Sequence, residues 1–178
     1  MDERHWTNPS PEPGQVAEYP GLSVTCIAPG GALMISGDLD AALSALVEGA
    51  PVLGCGAPAP EGTHAIRIAR DRALLVTDAP LDVAPGWHGS YAISLADDLY
   101  TLISLEGSRV EEIAAACTAT PLDGSSPSAT TLFGGLGAHV TRGGNRLMIR
   151  VQSPDGAALW SLLARLAGAE TIDPSAPT

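Results

Sequence analysis

Residues 146–168 read RLMIRVQSPDGAALWSLLARLAG, and this stretch decides the fold. Its first part alternates, with Leu147, Ile149 and Val151 taking turns with Arg146, Met148 and Arg150. A period of two puts the aliphatic side chains on one face of a strand and the others on the opposite face, the pattern of a sheet with one wet side. The period then changes. Ser153 can cap a helix with Pro154 at its first position, where a missing N–H costs nothing. Leu159, Leu162, Leu163 and Leu166 recur at helical spacing, and Gly168 ends the run. A strand and a helix that each carry one apolar side bury those sides most simply against one another. At roughly 1.5–3 kcal/mol per buried aliphatic side chain, the leucines alone supply a large share of a core.

Upstream of this unit, Gly143-Gly144-Asn145 reads as a hairpin turn between strands at residues 138–142 and 146–151, with a further strand at 130–133. Ser108 and Glu111 have the spacing of a capping box, and the helix they would open places Val110, Ile113, Ala114 and Cys117 on one face. Pro121-Leu122-Asp123 and a Ser-rich loop follow it. Residues 91–95 and 99–105 are strand candidates. The first half reads strand (22–27), strand (32–36), helix, strand (64–70), strand (73–77). Asp38 caps the helix, whose Leu39, Leu43, Leu46 and Val47 share a face, and Gly49 stops it. Residues 80–89, with Pro, Gly and Trp87, read as a loop. The expected class is α+β: one domain over residues 21–169, in two similar strand–helix–strand–strand halves at 21–90 and 91–169. The proline-rich residues 1–20 are expected to form a flexible N-terminal tail, and residues 170–178 a C-terminal one.

Composition removes several function classes. The formal charge of −11 speaks against nucleic acid and anionic membrane as partners, because both need clustered cations. All 9 basic residues are arginine. Without lysine the chain has no Schiff-base amine and no phosphate-loop lysine. Cys26, Cys55 and Cys117 are sparse and unpaired in spacing, which suggests reduced thiols and a cytoplasmic location. No signal peptide or membrane-spanning run is visible in the sequence.

Several short motifs carry a family resemblance. They are Leu102-Ile-Ser-Leu-Glu-Gly107, the Pro121-Leu122-Asp123 segment, Thr130-Thr-Leu-Phe-Gly-Gly-Leu-Gly137 and Ser153-Pro-Asp-Gly-Ala-Ala-Leu-Trp160. Upstream, Ile68-Ala-Arg-Asp-Arg-Ala-Leu-Leu-Val76 joins them, with Ala69-Arg70 where the family has Gly-Pro and Ala73 where tryptophan is common. Over residues 60–169 the chain resembles the gamma subunit of heterotetrameric sarcosine oxidase, within the group sharing the folate-binding fold of the glycine-cleavage aminomethyltransferase. The resemblance implies a small subunit without a catalytic residue, metal or cofactor of its own, acting in assembly of an N-methyl amine oxidoreductase and in shaping its internal tunnels. It implies larger flavoprotein subunits as partners, and a small zinc-binding subunit besides. It also implies flavin (FAD, FMN), NAD and tetrahydrofolate on those chains rather than on this one. The alternative is a stand-alone folate-binding one-carbon transfer protein.

Candidate reactive groups have simpler readings. Gly134-Gly135-Leu136-Gly137 and Gly143-Gly144 lack the strand–glycines–helix order of a dinucleotide loop and read as turns and bulges. His64, His88 and His139, taken with Cys55 or Cys117, show no ligand-pair spacing. Ser90, Ser125 and Ser126 lie outside any GxSxG elbow. Cys117 falls on an apolar helix face, and the pairs Asp97-Asp98 and Glu111-Glu112 suit a turn and a helix start. Trp87 and His88 are the candidate interface element, the other reading being a loop tucked onto its own core.

Overall fold

Alternating burial along the strands builds two six-stranded sheets in the computed structural model, which describes residues 10–168. In chain order the elements are β1 (Val16–Tyr19), β2 (Leu22–Ile27), β3 (Gly31–Gly37), α1 (Leu39–Leu46), β4 (Val52–Leu53) and β5 (His64–Ala69). Next come β6 (Arg72–Thr77), β7 (Gly86–His88), β8 (Tyr91–Leu95), β9 (Tyr100–Glu106) and α2 (Val110–Cys117). The last are β10 (Thr130–Phe133), β11 (Leu136–Gly143), β12 (Arg146–Gln152) and α3 (Gly156–Gly168), with a 3-10 turn at Ser153–Asp155 before α3. The α+β class expected from the sequence is the class found.

The first sheet has the order β4-β5-β6-β3-β8-β7 and the second β1-β2-β9-β12-β11-β10. Every neighbouring pair is antiparallel except β4 with β5. The sheets therefore do not divide the chain at residue 90. Residues 31–95 supply the first sheet, while β1 and β2 join the second, where β2 pairs with β9. The period of two in Leu22, Val24 and Cys26 sets which face is buried, but not which strand lies alongside. Residues 10–20 also differ from a loose tail. β1 pairs with β2, and the Cys26 thiol contacts the Pro11 carbonyl at 3.7 Å. The remainder of the expected tails, residues 1–9 and 169–178, lies outside the described residues.

Each sheet covers its outer face with helix. On the first, Leu33, Ile35, Ala73, Leu75 and Ile93 pack with Leu39, Ala42 and Leu43 of α1. On the second, Ile103, Leu105, Val140, Leu147, Ile149 and Val151 pack with Val110 and Ile113 of α2 and with Leu159 and Leu163 of α3. Ala167 completes the buried side of α3, whereas Leu162 and Leu166 are only partly buried against it. The inner faces meet in a third cluster in which Ile66 and Leu74 of the first sheet adjoin Ala129 and Tyr100 from the second.

Local chemistry explains the element ends. Asp38 caps α1 through a 3.0 Å bond from the Ala41 amide. The capping box at α2 does not form: Arg109 occupies the cap position, and no side chain caps it. The Gly21 carbonyl in the β1–β2 turn instead accepts the Arg109 N–H at 3.0 Å, and Glu111 pairs with Arg142 at 2.8 Å. Ser153 does not cap α3 either, since its hydroxyl donates to the Asp98 carbonyl at 2.7 Å. Gly134 and Gly135, both at positive φ, make the two-residue turn between β10 and β11.

Candidate functional site

β12 carries the largest departure from its sequence reading. Its aliphatic face is buried as expected, but the opposite face is wet only at its ends: Arg146 and Gln152 are exposed, Met148 is half-buried and Arg150 is buried. Arg150 is 6% exposed, with Thr141 and Ser104 also buried on that side of the sheet. Strands β9 and β11 flank β12, and the first sheet covers it. The guanidinium makes one hydrogen bond among the described residues, from Nη1 to Thr141 Oγ1 at 3.3 Å. No carboxylate lies within salt-bridge distance of it among the described residues. Burial pushes its pKa down from 12.5 to about 10, so it remains a cation at neutral pH.

Two histidines stand on the same seam. His64, at the start of β5, bonds the Gly62 carbonyl through Nδ1 at 2.9 Å. A carbonyl only accepts, so Nδ1 carries the proton. Its Nε2 is buried without a partner among the described residues. Burial first, and the charge of Arg150 in smaller measure, hold the His64 pKa below its usual value. His139 on β11 sits between the Thr130 hydroxyl, 3.2 Å from Nδ1, and the Tyr100 hydroxyl, 3.4 Å from Nε2. Its pKa is lowered from 6.5 to about 4, again by burial and then by Arg150.

Arg150 borders two cavities. The smaller, about 40 Å³, is mainly apolar and includes Leu74, Val76 and Tyr100, with Asp97 committed to the Ala32 amide at 2.7 Å. The larger, about 420 Å³, lies between the 59–64 segment and the β11–β12 hairpin, and both Arg150 and His64 line it. Polar groups facing one another across a sheet–sheet seam give a place to hold a small polar ligand. Sequence reasoning missed this site. The histidines were visible, but nothing in the alternation of β12 distinguishes a wet face from one covered by a second sheet.

Trp87 and His88 lie on β7, an edge strand rather than a loop. Trp87 is 77% exposed, so it is not tucked onto the core. His88 stacks on Tyr91 at 5.7 Å and bonds the Ala84 carbonyl at 2.9 Å. Among the described residues no three His, Cys, Asp or Glu side chains gather as a metal site. Cys26, Cys55 and Cys117 are buried free thiols. The serines have local partners: Ser90 bonds Asp38, Ser125 bonds Asp123, and Ser126 bonds the Ser128 carbonyl. No described helix is long and apolar enough to cross a membrane.

No protein-family profile matches the sequence, and neither does any curated protein. Solved structures do. One chain of the heterotetrameric sarcosine oxidase from Corynebacterium sp. U-96, in complex with pyrrole 2-carboxylate, superposes with a TM-score of 0.65 at 16% identity. The fold is that of a sarcosine oxidase chain. The match spans 89% of this chain and 91% of the oxidase chain, so it takes in both sheets and their helices rather than one shared motif.

Proposed function

We propose that this chain is a small, gamma-type, non-catalytic subunit of a sarcosine oxidase-like complex that oxidises an N-methyl amine with flavin held on larger subunits. The observation that carries the reading is the reciprocal coverage, 89% and 91%, because it matches a whole subunit-sized chain to a chain of an assembly. In this reading the chain contributes surface. FAD, FMN, NAD and tetrahydrofolate belong to its partners, and its location is cytoplasmic. The β7 edge is the docking element. Exposed Trp87 offers an apolar anchor beside unpaired strand-edge backbone.

The test is co-expression of the tagged chain with large flavoprotein subunits of the sarcosine oxidase type from the same genome. The expected result is a stable complex that carries flavin absorbance, with Trp87→Ala weakening association at least tenfold and leaving the fold intact. A chain that elutes alone in the presence of those flavoproteins overturns the proposal. Saturable tetrahydrofolate binding by the isolated chain, measured by calorimetry, moves the assignment to a one-carbon carrier instead.

A further inference from the structure

A guanidinium removed from water keeps its charge and needs an anionic or strongly accepting partner. Among the described residues Arg150 has only the Thr141 hydroxyl. The charges nearest the same cavity do not serve it. Arg146 is paired with Glu106 at 2.8 Å, and Glu61 lines the cavity as an exposed residue with no ion pair among the described residues. Asp78, which acts on His64 from outside the cavity lining, likewise makes no ion pair with Arg150. A second observation concerns the other wall. His64 is 5% exposed, its Nδ1–H is fixed on Gly62, and its Nε2 is left as a buried lone pair with nothing donating to it. One wall of the cavity therefore carries a cation with donors to spare, and the other a histidine whose buried Nε2 lacks a donor among the described residues.

We infer that Arg150 and His64 form a binding site for a small oxyanion that still carries a proton, namely hydrogen phosphate. An anionic oxygen accepts from the Arg150 guanidinium, and the P–OH donates to His64 Nε2. No covalent step is involved. The stereochemistry selects against sulfate, which has the same shape and charge but no proton to donate at neutral pH. It also selects against carboxylates, which accept only when ionised. Glu61 at the rim opposes anion entry. The site is independent of the subunit reading, because it uses only groups within this chain.

The experiment is isothermal calorimetry and thermal unfolding of the full chain with inorganic phosphate, sulfate, acetate and glycerol 3-phosphate at matched ionic strength. The expected result is saturable phosphate binding, at least tenfold tighter than sulfate or acetate. Glycerol 3-phosphate, mostly a dianion without a P–OH proton at neutral pH, is expected to bind more weakly than phosphate, and tighter binding overturns the inference. Arg150→Met abolishes the phosphate response, His64→Phe weakens it at least tenfold, and Glu61→Gln tightens it. Equal responses to phosphate and sulfate overturn the inference, as does a phosphate response that survives in Arg150→Met or no saturable binding by the wild-type chain. The sulfate comparison needs no variant, so a substitution that fails to fold leaves the inference open to refutation.

Discussion

His139 makes the stability of this fold depend on pH in a direction that can be worked out. Burial and the positive charge of Arg150 lower its pKa from 6.5 to about 4 in the native protein. In the unfolded chain it returns to about 6.5. Below that pH the unfolded chain binds a proton that the native one lacks, so native stability falls as pH drops through the window from 6.5 to about 4. A tenfold change in proton affinity is worth about 1.4 kcal/mol, which gives about 3 kcal/mol for the whole window. Between about pH 7.5 and pH 5 the loss is about 2 kcal/mol. The perturbation is His139→Gln, which does not titrate but can still hydrogen-bond toward Thr130 and Tyr100. Urea unfolding of both proteins across this range is the assay. The stability difference, wild type minus variant, should shrink by about 2 kcal/mol from the upper to the lower pH. His64 is shifted in the same direction but is present in both proteins and cancels. Parallel pH dependences for the two proteins would refute the reasoning.

Other substitutions test the packing. Leu159→Ala removes a wholly buried side chain from the α3 interface and should cost about 2–5 kcal/mol in denaturant unfolding. Gly56→Ala should cost about 1–3 kcal/mol, because φ is +71° there and a Cβ would lie 2.6 Å from the Leu122 carbonyl carbon. Trp87→Ala should change stability of the isolated chain by no more than about 0.5 kcal/mol, since its ring is mostly in water. Burial raises the pKa of all three cysteine thiols, so a thiol reagent at neutral pH should titrate them only after denaturation.

What the sequence made legible was local and periodic. The buried face of α2 is the set Val110, Ile113, Ala114 and Cys117 read from helical spacing, and β2 spans the residues its alternation marks. The α1 cap on Asp38 was visible because a cap needs only residues three apart. What it hid was the partner of each element. Ser108 and Glu111 have cap spacing, yet the helix starts one residue later, with Arg109 at the cap position and its amide bonded to Gly21, far away in the chain. β1 was read as tail because a short, half-exposed edge strand needs few apolar residues. The Arg150 site was illegible for the same reason. Alternation separates two faces of a strand without saying whether solvent or another sheet meets the second one.

Arg150 also separates stability from binding. Its pKa of about 10, down from 12.5, corresponds to about 3 kcal/mol of unfavourable desolvation, against which the fold sets one hydroxyl hydrogen bond worth about 1 kcal/mol. β12 tolerates this because β9 and β11 hold it on both sides and its opposite face is sealed by α3. Methionine fits the same path and carries no charge, so Arg150→Met should be more stable than wild type by about 1–3 kcal/mol in phosphate-free buffer. In saturating phosphate the order should narrow or reverse, because only the wild type gains from the ligand. A guanidinium kept purely for packing or internal hydrogen bonding predicts the opposite: loss of stability on substitution, and the same loss with and without phosphate. Denaturant midpoints for the two proteins in the two buffers decide between these, and a less stable methionine variant in phosphate-free buffer would show that Arg150 serves the fold rather than a ligand.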